Sequence, residues 1–204
     1  MRVIICPGIH ASELTDSFVC SVATTANCNH LRSITLNSGA EKPKNQVNQI
    51  NIPTNRDLQW LVLPTRKYLP YDPVGIYHWL NQPEMLAEEL LFIAFSAGVV
   101  GGIGAAIALQ QQGVKIKAFI AIDGWGVPLW GDFPVYRFSH DYFTHWSSAI
   151  LGTGQASFYA DPPVAHLTIW RSPETCQGWI VTNSTANKIR CSARDYLQQI
   201  VVSG

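Results

Sequence analysis

The stretch Leu90–Leu109, LLFIAFSAGVVGGIGAAIAL, decides the fold. It holds twenty residues without a charge, set between Glu88-Glu89 and Gln110-Gln111-Gln112. About 20 apolar residues is the length of a membrane-spanning helix, and Gly98 and Gly102, four apart, would form its packing face. The other reading divides the stretch in three. Leu90–Phe95 is a short strand buried on both faces, Ser96-Ala97-Gly98 is a turn of small residues, and Val99–Leu109 is a helix that Gly113 caps. The second reading is adopted. Gly98 and the three glycines of the helix, Gly101, Gly102 and Gly104, are costly in an isolated helix, but they make sense where a helix start must pack closely on a sheet.

Working outward, Val3–Cys6, Trp60–Pro64, Val114–Ile122 and Ala165–Trp170 read as further strands. Ser12–Val22, Val74–Leu80 and Ser192–Val202 read as helices, the second introduced by Asp72-Pro73. Pro83–Glu89 reads as a polar helix or turn, and Trp179–Thr182 as a short strand or helical turn. Residues 23–57 form a polar insertion with one short strand near Ser33–Leu36. Alternating strands and helices predict an α/β fold: a mostly parallel central sheet of about five to six strands with helices on both faces. The length of 204 residues fits a single domain.

Composition excludes several classes. Apolar residues make up 47% and charged residues 14%, and the net charge is zero. No basic patch of the kind a nucleic-acid binder carries is visible. The apolar part of MRVIICPGIH is too short for a signal-peptide core. Five cysteines form an odd set without a C-x-x-C pair, which argues against a zinc site and a full disulfide framework. A reduced, cytoplasmic setting is the simplest expectation, with no cofactor and no metal. The glycines of Leu90–Leu109 match neither a P-loop nor G-x-G-x-x-G.

The turn itself is Ala94-Phe95-Ser96-Ala97-Gly98. Small residues suit a serine in a tight strained turn, and the helix behind it offers N–H groups and a positive dipole end to a developing oxyanion. A serine here also reads simply as a helix cap. The pentad resembles the nucleophile elbow of α/β-hydrolases, G-x-S-x-G, with Ala94 in place of the first glycine. The resemblance implies a serine hydrolase acting on a small-molecule ester or thioester. Ser96 is then the nucleophile, and the backbone N–H groups of Ala97 and Ile9 form the oxyanion hole. Cys6-Pro7-Gly8-Ile9-His10 departs from the family's His-Gly after the first strand; His10 reads as a substrate-binding or a plain loop residue.

Asp123 ends a central strand, where open α/β sheets bind ligands. It reads equally as a turn residue before Gly124. Glu174, after the expected strand Ala165–Trp170, is the rival acid. Trp125–Trp146 holds eight of the chain's 22 aromatics. The span 125–152 reads as an aromatic lid, loop-like up to Ser139, which caps a helix from His140 to about Leu151. Trp125, Phe143 and Trp146 would line an apolar acyl or aryl pocket. The family supplies its histidine after the last strand, but none follows His166, which reads as a strand residue. The lid therefore offers His145 or His140; Ser96–Asp123–His145 keeps the family's chain order. The alternative is a non-catalytic protein that binds or scaffolds through the same cleft. Oligomeric state is left open by these patterns.

Overall fold

The computed structural model describes residues 1–23, 49–51, 58–182 and 188–202. The strands are β1 (Arg2–Cys6), β2 (Gln49–Asn51), β3 (Gln59–Val62), β4 (Leu90–Phe95), β5 (Ile116–Ile122), β6 (Val135–Ser139), β7 (Ala156–Ala160), β8 (Gln177–Thr182) and β9 (Ile189–Ser192). They form one sheet in the order β2-β3-β1-β4-β5-β6-β7-β8-β9. Every pairing from β3 across to β7 is parallel. β2 closes one edge antiparallel, and β8 and β9 close the other. The helices are α1 (Ser12–Val22), α2 (Pro73–Leu80), α3 (Pro83–Leu86), α4 (Ala97–Gln111), α5 (Tyr142–Ser148), α6 (Thr168–Arg171) and α7 (Ala193–Val202).

Apart from Arg2 at its start, β1, like β4, is apolar, because alternate side chains face the two sides of the sheet and both sides are covered. Both are buried along their whole length. Val3 and Ile5 of β1 join Leu91, Ile93 and Phe95 of β4 in a core completed by α1, α6 and α7. Ile4 and Cys6 join Leu90, Phe92 and Ala94 in a second core beneath α2 and α4. Helices therefore cover both faces of the sheet, as its continuous apolar strands require. Full burial of each Val, Leu, Ile or Phe side chain among them contributes about 1.5–3 kcal/mol.

The central stretch folds as strand, turn and helix, but the helix takes in Ala97 and Gly98, expected in the turn, and runs on to Gln111. Leu90–Phe95 is β4, and the helix after it starts at Ala97. At Gly98 a Cβ would collide with the carbonyl oxygens of Cys6 and Pro7, and at Gly101 with that of Pro70. Those two glycines let α4 lie directly on the end of β1 and on the turn before α2. Gly113, at φ 86°, follows the helix. The Gly113 N–H donates to the Gln110 carbonyl and the Val114 N–H to that of Leu109, the Schellman arrangement. Among the described residues no helix is long and apolar enough to cross a membrane.

Several expectations need correction. The sheet has nine strands rather than five or six, the additions including β6 and β7 within it and β2 and β9 at its edges. Val135–Ser139, expected within the lid, is the buried parallel strand β6. Ala156–Ala160 is β7, whereas Ala165–Trp170, expected as a strand, is a loop running into the short helix α6. The helix expected from Ser139 begins instead at Tyr142, because the Asp141 carboxylate accepts the Thr144 N–H and caps it. Most of the insertion 23–57, with the strand expected at Ser33–Leu36, lies outside the described residues.

Trp170 shows what the α6 loop contributes to packing. Its ring is fully buried, stacked 3.6 Å from Phe18 of α1 and 5.0 Å from Phe95 of β4. Trp170→Ala is expected to cost about 3–5 kcal/mol, read as a lowered midpoint in urea or thermal unfolding. An unchanged midpoint would show that α6 is not part of the cooperative core.

Candidate functional site

Loops leaving the carboxyl ends of five adjacent parallel strands converge on one region. β1 leads to Gly8-Ile9-His10, β4 to Ser96, β5 to Asp123, β6 to His140, and β7 to the loop carrying His166. A crevice at the carboxyl ends of an open parallel sheet is where this architecture binds ligands.

Ser96 occupies the strand-to-helix turn at φ 51°, ψ −121°. That is left-handed backbone space which a residue with a Cβ adopts at a cost of about 1–3 kcal/mol. The turn is held on both sides: the Ser96 N–H donates to the Ile122 carbonyl, and the Ser96 carbonyl accepts from Val99. The β1 loop presses against it, since a Cβ at Gly8 would sit 3.1 Å from the Ser96 Cβ. The hydroxyl does not cap the helix it precedes. The simple capping role is thereby removed, while the strained backbone remains.

Asp123 directly follows Ile122, the acceptor of the Ser96 N–H. It too has φ 51°, and its N–H donates to the Phe138 carbonyl of β6. Its side chain is 1% exposed. One carboxylate oxygen, Oδ1, accepts the His140 N–H at 2.8 Å. The other, Oδ2, meets two imidazoles, His140 Nδ1 at 2.9 Å and His166 Nδ1 at 2.8 Å. The two rings stand nearly perpendicular, 5.9 Å apart. His166 also stacks at 4.8 Å on Phe95, the residue before Ser96. The hydrogen bond to Asp123 pushes the His140 pKa up, reinforced by the charges of Asp123 and Asp141 and opposed by burial.

The structure places the expected site residues as follows. Asp123 lies beside the elbow, and His140 joins it. His145, the histidine favoured by chain order, does not meet Asp123. Its ring packs on Tyr142 and Tyr159, its Nδ1 is buried without a hydrogen-bond partner, and its backbone carbonyl accepts from Arg137. Glu174 is spent elsewhere, accepting the Ser21 hydroxyl at 2.7 Å. His10 lies against Phe95 and Trp170, with Nδ1 at 3.0 Å from the Ala11 carbonyl. Ile9 points its side chain to solvent, and Ala97 opens α4.

Sequence reasoning missed His166. The misassigned strand put it in the sheet, although Asp161-Pro162-Pro163 just before it breaks any strand and signals a loop. A cavity of about 320 Å³ opens over the group, lined by Asp123, Trp125, His140, Phe143, Thr144 and His166. The expected pocket residues Trp125 and Phe143 are thus in its wall. Trp146 flanks Phe143 at 6.3 Å, and the Trp125 indole N–H donates to Ser147. A larger cavity near Leu129 and Gln155 holds none of the expected site residues. Buried Arg137 ties α5 beneath this wall, donating to the His145 and Gly152 carbonyls and the Ser148 hydroxyl.

No family model, curated protein or solved structure matches the chain.

His145 gives a pH signature of this wall. Burial, with the Arg137 and Lys188 charges, holds its pKa down at about 4 against the ordinary 6.5. The unfolded chain therefore binds more protons between those values, so stability falls as pH drops from about 6.5 to about 4. His145→Phe keeps the ring packing and removes the titration. Its thermal midpoint is expected to vary less with pH over that window; an identical slope in both proteins refutes the assignment.

Proposed function

We propose that the protein is a serine hydrolase of the α/β-hydrolase type, with Ser96 as nucleophile, His166 as base and Asp123 as its partner. The observation that carries this reading is a strained Ser96 whose hydroxyl caps nothing, beside a buried carboxylate bonded to a histidine that rests on Phe95. Asp123, as a carboxylate, can only accept, so His166 Nδ1 bears the proton and Nε2 keeps its lone pair. In the proposed reaction Nε2 takes the Ser96 hydroxyl proton while Oγ attacks the substrate carbonyl carbon. The imidazolium that forms is stabilised by the Asp123 charge. The oxyanion is held by the N–H groups of Ala97, at the start of α4, and Ile9, after the close approach of Gly8 to Ser96. The imidazolium then protonates the leaving alcohol or thiol, and water repeats the sequence to free the acid.

The substrate class follows from the cavity wall. Trp125 and Phe143 offer aromatic surface next to His166, which suits an ester or thioester with an apolar acyl or aryl group. His166 follows Asp123 in the chain, which keeps the Ser–acid–His order of the α/β-hydrolase pattern, although β8 and β9 come after it. This removes the need for a lid histidine and supports the reading over a non-catalytic scaffold.

The test is labelling with a fluorophosphonate probe together with turnover of p-nitrophenyl esters. Ser96→Ala is expected to abolish labelling. His166→Ala and Asp123→Asn should each lower turnover by about 10³-fold or more, with circular dichroism unchanged. A folded wild-type protein that neither labels nor turns over esters overturns the proposal. So does a His166→Ala variant that retains full rate.

A further inference from the structure

We infer that Asp123, His140 and His166 also form a binding site for a divalent transition ion of the zinc type, and that the ion and the serine chemistry exclude each other. The inference rests on the reading of His166 as base, and extends it to regulation of the same site.

The donor set argues first. Two imidazoles and a carboxylate suit zinc and its first-row neighbours, and their ligand atoms all lie within 4.8 Å of one another. A tetrahedral ion with bonds of about 2.0–2.1 Å sets its ligands roughly 3.4 Å apart. The Nδ1 atoms now stand 2.9 and 2.8 Å from Asp123 Oδ2, so seating an ion needs each contact to open by only about half an ångström. The nearly perpendicular rings bring their Nδ1 atoms to Oδ2 from different directions. The cavity beside them leaves room for a water as fourth ligand.

The surrounding groups argue second. A metal-bound histidine usually gives its other ring nitrogen to a carboxylate, which fixes the tautomer. His140 Nε2 faces Asp141 Oδ2 at 3.6 Å, and Asp141 is itself held as the cap of α5. Asp123 Oδ1 is occupied by the His140 backbone N–H, which leaves Oδ2 as the ligand atom. Neither feature is required by a serine–histidine–carboxylate relay, which uses one histidine.

Tautomerism makes the two states exclusive. As base, His166 carries its proton on Nδ1 and offers the Nε2 lone pair to Ser96. As ligand it gives the Nδ1 lone pair to the ion, the proton resides on Nε2, and that nitrogen cannot accept the serine proton. Ion binding moves this proton by way of solvent. A charged His140 releases its extra proton to solvent in the same step.

The experiment titrates the full chain with Co²⁺, read by visible absorption, and with Zn²⁺, read by the rate of fluorophosphonate labelling. One ion per chain is expected in wild type and in Ser96→Ala. Binding should be lost in His140→Gln and His166→Gln, each checked for folding by circular dichroism, and weakened about tenfold or more by Asp141→Asn. Zn²⁺ should slow wild-type labelling by about tenfold or more at concentrations well above its dissociation constant, and a chelator should restore it. Absence of stoichiometric binding overturns the inference, as does wild-type affinity in both histidine variants, or a bound ion with unchanged labelling. A wild type that binds the ion but never labels, even ion-free, upholds the ion site and overturns the hydrolase reading.

Discussion

The close approach of α4 to the end of β1 is the constraint on which the rest of the site depends. It exists because Gly98 and Gly101 have no side chain where the Cys6, Pro7 and Pro70 carbonyls sit. With the helix seated there, the chain between β4 and α4 must reverse within one residue. Ser96 takes the left-handed conformation that this demands. The strain is held by hydrogen bonds to Ile122 and Val99 and by the buried strands on either side. Packing thus sets the backbone conformation of Ser96 before any chemistry is considered.

Around this turn the sheet gathers polar groups that its interior would otherwise exclude. A carboxylate as buried as Asp123 is tolerated only when it is paired and hydrogen-bonded. It has one backbone donor and two imidazoles. The same satisfaction that makes the buried charge stable also orients two histidines toward a solvent-facing cavity. One carboxylate oxygen is shared between the two rings.

The aromatic segment behaves differently from its pattern. Trp125, Phe143 and Trp146 are exposed and flank or line the cavity, while Phe133 and Phe138 are core residues on opposite faces of the sheet. Their composition alone does not separate the two groups. Val135–Ser139 is five residues long and lies between prolines, glycines and a helix cap, so loop signals mask a strand that burial on both faces creates. The same masking hides Ala156–Ala160 and displaces the strand assignment onto the His166 loop.

The sequence by itself determined the α/β class, the strand–turn–helix at Leu90–Gln111, the close helix packing implied by its glycines, and the places of Ser96 at the turn and Asp123 at a strand end. These are local properties: apolar periodicity, small residues at a turn, an acid at a strand end. Tertiary structure alone decided which histidines meet Asp123: His140 and His166, and not His145. His140, His145 and His166 have equal chemistry, and they are separated by which loop brings them to the carboxyl ends of β5, β6 and β7. That depends on strand order and register, which arise from pairing between residues distant in the chain and leave no periodic trace in any one segment.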